Sequence, residues 1–411
     1  MGNPFETALN SLYSASEAAN IDPNVVAILS KPKRITEFNI PLKMDNGELK
    51  IFTAYRCQYN DALGATKDGT RFVPNLDPDT VKALGFWMTI KHAVADIPAG
   101  GGKGGIVVDP SKLSKSELEK LTRAYMRRLP VKGAWIDVPG ADIGTSAQTQ
   151  GWMLDEYEEI MGYHSPAAVN DKPAILNGTV GSFEATGLGV FYVTVQAIKD
   201  LGLSKGSTAA VQGYGQVGAI AAKLLFDEGY KIVAVGDING GIYSEGGINI
   251  DELDKHVAKT GTVVDFAGVK AISNDELLTA QCDILIPAAV QSVIHKSNAK
   301  DIKAKLIVEG ANGPITPDAE KILLGKEIYI VPDVIANSGG AIVCHFERIQ
   351  GLTDMYWDLD TVKTRLHERI LKAYNQGLET SKKLNNPSLR VAAWANALGK
   401  ISEAMKARGW V

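Results

Sequence analysis

The sequence has little of what marks a secreted, metal-binding or membrane protein. Its three cysteines, Cys57, Cys282 and Cys344, are few and far apart, which argues against a disulfide framework and indicates a reducing cytoplasm. The six histidines are scattered without the spacing of metal ligands, so no metal site is expected. No run of about 18 apolar residues occurs, and no apolar signal-peptide core stands at the N-terminus, so no membrane is expected as a partner.

Basic clusters are also missing. The net charge is -4 at pH 7, and lysines and arginines form no concentrated run, which argues against nucleic acid as a partner. What remains is the composition of an ordinary globular protein, with 45% hydrophobic and 22% charged residues. A chain of 411 residues exceeds the size at which a single hydrophobic core stops growing, so we expect two domains.

Hydrophobic patterns along the first part of the chain alternate between helix and strand. An amphipathic run with proline in its first turn predicts a helix from Asn3 to about Ala19. Strands are predicted over residues 35–42 and 49–58, joined by a turn, and another helix over residues 79–91. Together with the strands and helices farther along, this order predicts an α/β protein.

The most unusual stretch is residues 97–110, I-P-A-G-G-G-K-G-G-I-V-V-D-P, in which five glycines surround Lys103. Absent side chains let other backbone and a ligand approach closely. A lysine enclosed in this way can lose solvation, which lowers an ammonium pKa towards the range useful for a general base. The alternative is a glycine-rich turn that carries an exposed lysine.

A second informative stretch lies in the middle of the chain. A short apolar strand, Thr208–Gln212, runs into a glycine-rich segment, and a helix and a second strand that ends near Asp237 follow. The glycine-rich segment consists of Gly213, Tyr214, Gly215, Gln216, Val217 and Gly218. Such glycines let backbone approach a pyrophosphate at a helix N-terminus, and an acid about 20 residues on can reach a ribose hydroxyl. This order predicts a dinucleotide site, although Asp237 alone could also be a turn residue.

These segments resemble those of the glutamate/leucine/phenylalanine/valine dehydrogenase family, oxidative deaminases of amino acids that use a nicotinamide cofactor. The likeness covers nearly the whole chain from about Tyr55, and includes residues 136–145 and the Ala-Thr-Gly segment at Thr186. It implies a substrate-binding and oligomerisation domain with a mixed sheet over residues 1–183, with a C-terminal helix at about 385–411 packing back onto it. A Rossmann-type dinucleotide-binding domain is implied over residues 184–384, with a cleft between the domains for substrate and nicotinamide.

The resemblance also implies roles for individual residues. Lys103 and Asp142 would be catalytic, the lysine activating the attacking water and the aspartate exchanging a proton with the reacting nitrogen. Taken alone, Asp142 would instead be a turn residue. Lys67 would hold a side-chain carboxylate and Lys91 the α-carboxylate, although a single lysine is usually a solvated surface charge. The remaining residues predicted to bind substrate are Met88, Ala141, Asn170, Asn337, Ala341 and Cys344.

For the cofactor, the resemblance implies NAD or NADP. The residues predicted to bind it are Thr186, Gly213, Tyr214, Gly215, Gln216, Val217, Gly218, Asp237, Ala288 and Asn312. Asp237 favours NAD, because an acid accepts hydrogen bonds from a ribose 2′-hydroxyl and repels a 2′-phosphate, and Ile238 offers no donor to a phosphate. NADP-using relatives also carry this aspartate, and Lys231 could compensate a phosphate, so both cofactors remain possible.

Several positions depart from the family pattern, and most of them bear on specificity. Near Lys67, Ala65, Asp68 and Val73 replace a proline, a glycine and a histidine. Near the substrate, Asn170 and Asp171 replace threonine and glycine, while Cys344 replaces a serine that in glutamate enzymes bonds the substrate carboxylate. A thiol is a weaker donor.

The activity implied is the reversible oxidation of an L-amino acid, with L-glutamate, giving 2-oxoglutarate and ammonia, as the leading substrate. One alternative is a dehydrogenase for a neutral or unusual amino acid, and another is a catalytically silent NAD(P)-binding relative. Apart from the amino acid and its 2-oxo acid, the only partner implied is the chain itself, in a homo-hexamer. The expected location is cytoplasmic.

Overall fold

The computed structural model of this chain describes residues 3–411. The chain divides into two compact units, and the predicted two-domain α/β fold is confirmed. The first unit comprises the residues through Ser182 together with Ala341–Val362 and Trp394–Val411. The second comprises Phe183–Gly340 and Lys363–Ala393.

The first unit is built around a five-stranded sheet. Its elements in chain order are α1 (Pro4–Ala18), α2 (Pro23–Leu29), β1 (Arg34–Lys43), β2 (Leu49–Asn60), β3 (Thr66–Val73), α3 (Pro78–Val94), β4 (Gly100–Val107), α4 (Lys115–Arg128), β5 (Asp137–Ala141) and α5 (Ala147–Met161). The strand order is β1-β2-β4-β3-β5. The pairs β1–β2 and β2–β4 are antiparallel, whereas β3 runs parallel to both β4 and β5, so the sheet is mixed as predicted.

Local chemistry explains where the early elements begin. Asn3 caps α1, its side chain accepting hydrogen bonds from the backbone N–H groups of Phe5 and Glu6. Asp77 caps α3 in the same way, and proline occupies the first turn of both helices. The predicted helices and strands of this region therefore appear with ends shifted by at most a few residues.

The second unit contains a seven-stranded sheet. Its elements are α6 (Ala185–Asp200), β6 (Thr208–Gln212), α7 (Gln216–Asp227), β7 (Lys231–Asp237), β8 (Gly240–Tyr243), α8 (Ile250–Thr260), β9 (Lys270–Ile272), α9 (Asn274–Leu278), β10 (Ile284–Pro287), β11 (Leu306–Val308), α10 (Pro317–Gly325), β12 (Tyr329–Val331) and α11 (Asp333–Ala336). The strand order is β12-β11-β10-β6-β7-β8-β9, and all pairs from β12 to β7 are parallel. This is the doubly wound arrangement expected of a Rossmann-type domain.

The chain ends in three helices, α12 (Gly339–Thr353), α13 (Leu359–Leu384) and α14 (Leu389–Ala407), whose residues are shared between the two units. Within the first unit, Trp394 of α14 packs edge-on against Phe86 of α3, with ring centroids 5.8 Å apart. Arg408 donates a hydrogen bond to the carbonyl oxygen of Ala62 at 2.7 Å. Across residues 3–411, no helix combines the length and apolar character needed to cross a membrane.

Candidate active site

Lys103 lies on β4, the strand paired with both β2 and β3 in the first sheet. The glycines around it leave room for close neighbours, because a Cβ on Gly101 would collide with the backbone of Gly85 and Thr89 on α3. Only 6% of Lys103 is exposed. The alternative of a glycine-rich turn with an exposed lysine is therefore wrong, since close packing of α3 and the neighbouring strands makes this segment a buried strand.

Two carboxylates meet the Nζ atom of Lys103. Asp68 Oδ2 accepts a hydrogen bond from it at 2.6 Å, and Asp142 forms an ion pair with the same nitrogen. Asp68 comes from β3 and Asp142 directly follows β5, so the order of strands in the sheet brings three distant parts of the sequence together.

These carboxylates govern the protonation of Lys103. Burial lowers the pKa of the lysine, but Asp142 and Asp68 outweigh burial and raise that pKa above its usual value. Burial likewise raises the pKa of Asp142, while Lys103 and Arg71 bring it below its usual value. The expectation that enclosure lowers the pKa of Lys103 is therefore wrong for this arrangement, because two negative partners stabilise the ammonium form.

Asp142 is held by the turn that begins at its own position. Its backbone N–H donates to Thr145 Oγ1 at 2.8 Å, and its Oδ1 accepts a hydrogen bond from Arg71 Nε at 3.2 Å. The residue is thus both a turn residue and a partner of Lys103. Its carboxylate is fixed on two sides, with one oxygen directed to the lysine.

Lys67 is almost fully buried on β3, 2% exposed, and its Nζ lies 3.5 Å from His92 Nε2 on α3. His92 Nδ1 lies 2.9 Å from the carbonyl oxygen of Gly100, which can only accept, so Nδ1 donates and Nε2 faces the lysine as an acceptor. Burial and Lys67 hold the pKa of His92 well below its usual value, so the ring is neutral. Met88 and Lys91 are half-buried on the same helix.

Two aspartates stand where the resembled family carries glycine, and both keep a glycine-like backbone. Asp68 has φ +146° and Asp171 has φ +60°. A non-glycine residue in such a conformation costs about 1–3 kcal/mol and persists only where its contacts hold it. For Asp171 these contacts are the backbone N–H of Ala141, 3.0 Å from Oδ2, and the thiol of Cys344, 2.9 Å from Oδ1.

Cys344 and Ala341 are half-buried on α12. Burial and Asp171 raise the pKa of the Cys344 thiol well above its usual value, so the sulfur keeps its hydrogen and donates it to Asp171. Asn170 Nδ2 donates to the carbonyl oxygen of Cys344 at 2.8 Å, while its buried Oδ1 has no partner among residues 3–411. Hydrogen bonds therefore connect β5, the segment at Asn170 and α12. These elements carry four predicted substrate residues, Ala141, Asn170, Ala341 and Cys344.

Asn337, also predicted to bind substrate, lies in the second unit. Its Nδ2 donates to Asn312 Oδ1 at 2.9 Å and lies 3.3 Å from the carbonyl oxygen of Gly310. The structure thus groups Asn337 with Asn312, a residue predicted to bind the cofactor.

The glycine-rich segment after β6 fits a dinucleotide. A Cβ on Gly213, whose φ is +99°, would lie 2.7 Å from the backbone nitrogen of Ala289, and one on Gly218 would collide with the carbonyl oxygen of Gly213. A Cβ on Gly215 would meet nothing within 4 Å. The outer glycines thus permit tight packing, whereas the middle one faces open space at the N-terminus of α7, where N–H groups favour a pyrophosphate.

The other predicted cofactor residues surround this segment. Tyr214 donates its hydroxyl hydrogen to Asp254 Oδ1 at 2.7 Å, and Gln216 Nε2 donates to the carbonyl oxygen of Phe183 at 2.5 Å. The N–H of Ala288 donates to the carbonyl oxygen of Gln212 at 2.7 Å. Val217 is half-buried in the first turn of α7, and Thr186 is half-buried in the first turn of α6.

Asp237 ends β7, and its carboxylate accepts hydrogen bonds from other residues of the chain. Oδ1 accepts from the N–H of Asn239, and Oδ2 accepts from Thr262 Oγ1 and the N–H of Val263, each at 2.7 Å. Burial raises the pKa of Asp237, but these hydrogen bonds outweigh burial and lower it, so the carboxylate stays charged. Lys231 begins β7 at the opposite end of the strand, which excludes it as a compensating cation beside Asp237.

Three features of the first unit were not predicted. They are the contact of Asp68 with Lys103, the contact of His92 with Lys67, and a buried ion pair between Arg56 and Asp137. Arg56 donates to both carboxylate oxygens of Asp137, at 2.8 and 2.6 Å, and to the backbone carbonyl oxygen of Asp68 at 3.0 Å. Of these residues, only Asp68 could have been singled out from the sequence, because it is an aspartate where the resembled family has glycine.

Comparison with known proteins shows the family to which the chain belongs. Residues 178–409 match the family model "Glutamate/Leucine/Phenylalanine/Valine dehydrogenase", and residues 32–159 match "Glu/Leu/Phe/Val dehydrogenase, dimerisation domain". A glutamate dehydrogenase of Thermotoga maritima is 42% identical over 408 residues, covering 98% of each chain. An NAD-specific glutamate dehydrogenase of Staphylococcus aureus is 40% identical over 401 residues, covering 97% of this chain and 96% of the relative.

Among solved structures, the chain is similar to a hetero-hexameric glutamate dehydrogenase from Thermus thermophilus in a leucine-bound form. The TM-score is 0.92 at 33% identity, and the match covers 99% of this chain and 97% of the other. The likeness extends over both compact units.

Proposed function

Since this chain belongs to the glutamate/leucine/phenylalanine/valine dehydrogenase family, we propose that it reversibly oxidises L-glutamate to 2-oxoglutarate and ammonia with NAD. The observation that carries the proposal is the direct contact of Lys103 with Asp142 in a buried site. Hydrolysis of an imine needs a base for water and a proton carrier for the leaving nitrogen at one place. Lys103 and Asp142 meet both needs.

Each protein group has a defined task in this reaction. Acceptance of the hydride from the substrate Cα is the chemistry that nicotinamide supplies when bound. In its amine form, Lys103 Nζ takes a proton from the attacking water, and Asp142 carries a proton to the departing ammonia. Because the two groups touch, the proton can pass between them without bulk water.

Lys67 supports glutamate as the substrate. A cation buried in the protein needs a negative partner, and a substrate side-chain carboxylate would provide one. Leucine-type and phenylalanine-type relatives place an apolar residue at this position, which leaves no such need. Lys91, on the same helix as His92, would hold the α-carboxylate.

NAD is the cofactor that the second unit favours. The charged carboxylate of Asp237 repels a 2′-phosphate, and Ile238 beside it is 96% exposed and has no donor to offer. The similar Staphylococcus aureus enzyme is NAD-specific. We assign substrate binding to the first unit and dinucleotide binding to the second.

One observation favours a second candidate, a dehydrogenase of a neutral or unusual amino acid. The Cys344 thiol donates its hydrogen to Asp171, so it is not directed to a substrate carboxylate. Asp171 also adds a negative charge near the position where a glutamate side chain would bind.

Steady-state kinetics on the purified wild-type protein separate these functions. kcat/KM would be measured for L-glutamate, L-leucine, L-phenylalanine and L-glutamine, each with NAD and with NADP. We expect L-glutamate with NAD to give the highest value. A preference for leucine or glutamine would contradict the Lys67 argument and favour the second candidate. Binding of NADH without oxidation of any amino acid would indicate a catalytically silent relative.

We propose a homo-hexamer in the cytoplasm. The first unit exposes large apolar side chains, among them Trp135 and Ile143, 74% and 59% exposed, which would be buried in a self-association interface. The three cysteines are free thiols, as a reducing compartment requires. Light scattering should give six times the chain mass of 44.0 kDa, and a monomer would contradict the assembly.

A further inference from the structure

Asp68 is the least expected charged residue near Lys103. Its φ of +146° lies in a region that favours glycine, and the resembled family has glycine at this position. A backbone of this kind costs about 1–3 kcal/mol for an ordinary residue. Something in the folded protein must therefore hold Asp68 in place.

Both the backbone and the side chain of Asp68 are held. The backbone carbonyl oxygen accepts a hydrogen bond from Arg56 Nη1 at 3.0 Å, and Arg56 is itself fixed by the two carboxylate oxygens of Asp137. The side chain places Oδ2 2.6 Å from Lys103 Nζ. The strained backbone thus aims a carboxylate at the residue that serves as the base.

Lys103 consequently has two carboxylate partners where the family pattern provides one. The titratable and charged groups around it are Arg56 and Cys57 on β2, Lys67, Asp68 and Arg71 on β3, Lys91 and His92 on α3, Tyr125 on α4, Asp137 on β5, and Asp142 directly after β5. Of these groups, Asp68 and Asp142 form ion pairs with Nζ.

We propose that Asp68 is a positioning residue that keeps Lys103 in its ammonium form, so that the deamination catalysed by this enzyme requires a higher pH than Lys103 and Asp142 alone would. This inference rests on the proposed function. To act as a base, Nζ must first lose a proton to solvent. Water then gives one proton to the Nζ lone pair while its oxygen forms a bond to the iminium carbon, and the C=N π pair moves to the nitrogen.

The sign of the effect follows from this requirement. A carboxylate at 2.6 Å favours the ammonium form, because an opposite charge this close stabilises the charged state of the lysine. Removing Asp68 therefore lowers the pKa of Lys103, and the acid limb of the pH profile of kcat/KM moves to lower pH.

Two variants separate the charge of Asp68 from its backbone strain. Asp68→Gly relieves the strain and removes the carboxylate, whereas Asp68→Asn keeps the side-chain size and removes only the charge. Asp96→Gly is the matched control. Asp96 also has a positive φ, +53°, and an ion pair with a lysine, Lys400, and its side chain is 21% exposed against 19% for Asp68.

Two measurements are made on wild type and all three variants. The first is kcat/KM for L-glutamate as a function of pH. The second is the rate of reductive methylation of Lys103 by formaldehyde and cyanoborohydride as a function of pH, read by peptide mass spectrometry. Only the amine form reacts, so this second midpoint reports the pKa of Lys103 whether or not the enzyme is active.

We expect both midpoints to fall by about 1–2 pH units in Asp68→Gly and in Asp68→Asn, and to stay unchanged in Asp96→Gly. Unchanged midpoints in both Asp68 variants would overturn the inference. A shift in Asp68→Gly alone would also overturn it, because the effect would then come from the backbone. If wild type does not oxidise glutamate but the methylation midpoint shifts, the proposed function fails while the role of Asp68 stands.

Discussion

Two cations with little exposure, each surrounded by carboxylates, occur in the two units of this protein. In the first unit, Lys103 meets Asp68 and Asp142. In the second, a guanidinium on α14, that of Arg390, is paired with three carboxylates. They are Glu309 at 2.6 Å, Glu320 at 2.7 Å and Asp333 at 2.9 Å. The surroundings are similar, but the cations differ in whether they can lose a proton.

From that difference we infer a structural role for Arg390 and a catalytic role for Lys103. A guanidinium keeps its charge in proteins, so Arg390 can only hold its partners together. Burial, the largest effect, raises the pKa of Glu309, and the charge of Arg390 opposes that rise. A lysine can give up its proton, so Lys103 can both pair with carboxylates and act as a base.

Removing the Lys103 side chain should have the largest effect. We expect Lys103→Ala to lower kcat for glutamate by about 10⁴-fold, the upper range for loss of general acid–base catalysis. The dinucleotide segment lies in the other unit, so NADH affinity measured by fluorescence titration should stay within threefold of wild type. Retention of more than a tenth of the activity would remove Lys103 from the mechanism.

Arg390→Leu should act on stability. It leaves the buried Glu309 and the half-buried Glu320 and Asp333 without their cation, and we expect the free energy of unfolding to fall by about 3–5 kcal/mol in urea titrations. Arg123→Leu is the control, because its short ion pairs are with Glu119 and Asp155, which are 36% and 60% exposed. Its third partner, Glu156, lies 3.8 Å away and keeps a closer cation, Arg127 at 2.6 Å. The loss of Arg123 should cost less than about 1 kcal/mol. Equal losses in both variants would contradict the structural role of Arg390.

Lys67→Leu should change specificity. It removes the cation proposed for the side-chain carboxylate, so kcat/KM for glutamate should fall by about 10²-fold, corresponding to a lost charge pair of about 3 kcal/mol. Leucine oxidation should stay constant or increase. An equal fall in kcat/KM for both amino acids would mean that Lys67 supports the fold and does not select the substrate.

The smallest effect is expected at Asp237. Replacing it with serine removes the charge that disfavours a 2′-phosphate, so the ratio of KM for NADP to KM for NAD should fall by about tenfold or less. A wild type that already prefers NADP would refute the role of Asp237.

Much of the fold could be predicted because local signals agreed with the final structure. The glycine-rich segment at Gly213 stood between a strand and a helix, and the structure has this order. The glycines around Lys103 were ambiguous, since a turn and a packed strand both favour glycine. Only the close approach of α3 to Gly101 decides between them.

The site itself was predictable as a set of residues but not as a set of contacts. The aspartate at position 68 was visible as a departure from the family pattern. Its conformation was not, because an aspartate gives no local signal for φ +146° and the contacts that hold it come from Arg56 and Lys103 on other strands. His92 gave no signal either, since its role depends on how α3 lies against Gly100.

The role of Lys103 in proton transfer is tested most directly by replacing it with arginine, the type of cation found in the second unit. Lys103→Arg keeps a positive charge beside Asp68 and Asp142 but cannot supply a neutral amine. We predict that glutamate oxidation, followed as NADH formation in a single turnover, falls by at least 10³-fold while the melting temperature and NADH affinity stay near wild type. Turnover within tenfold of wild type would show that charge, and not proton transfer at Lys103, is what the reaction needs.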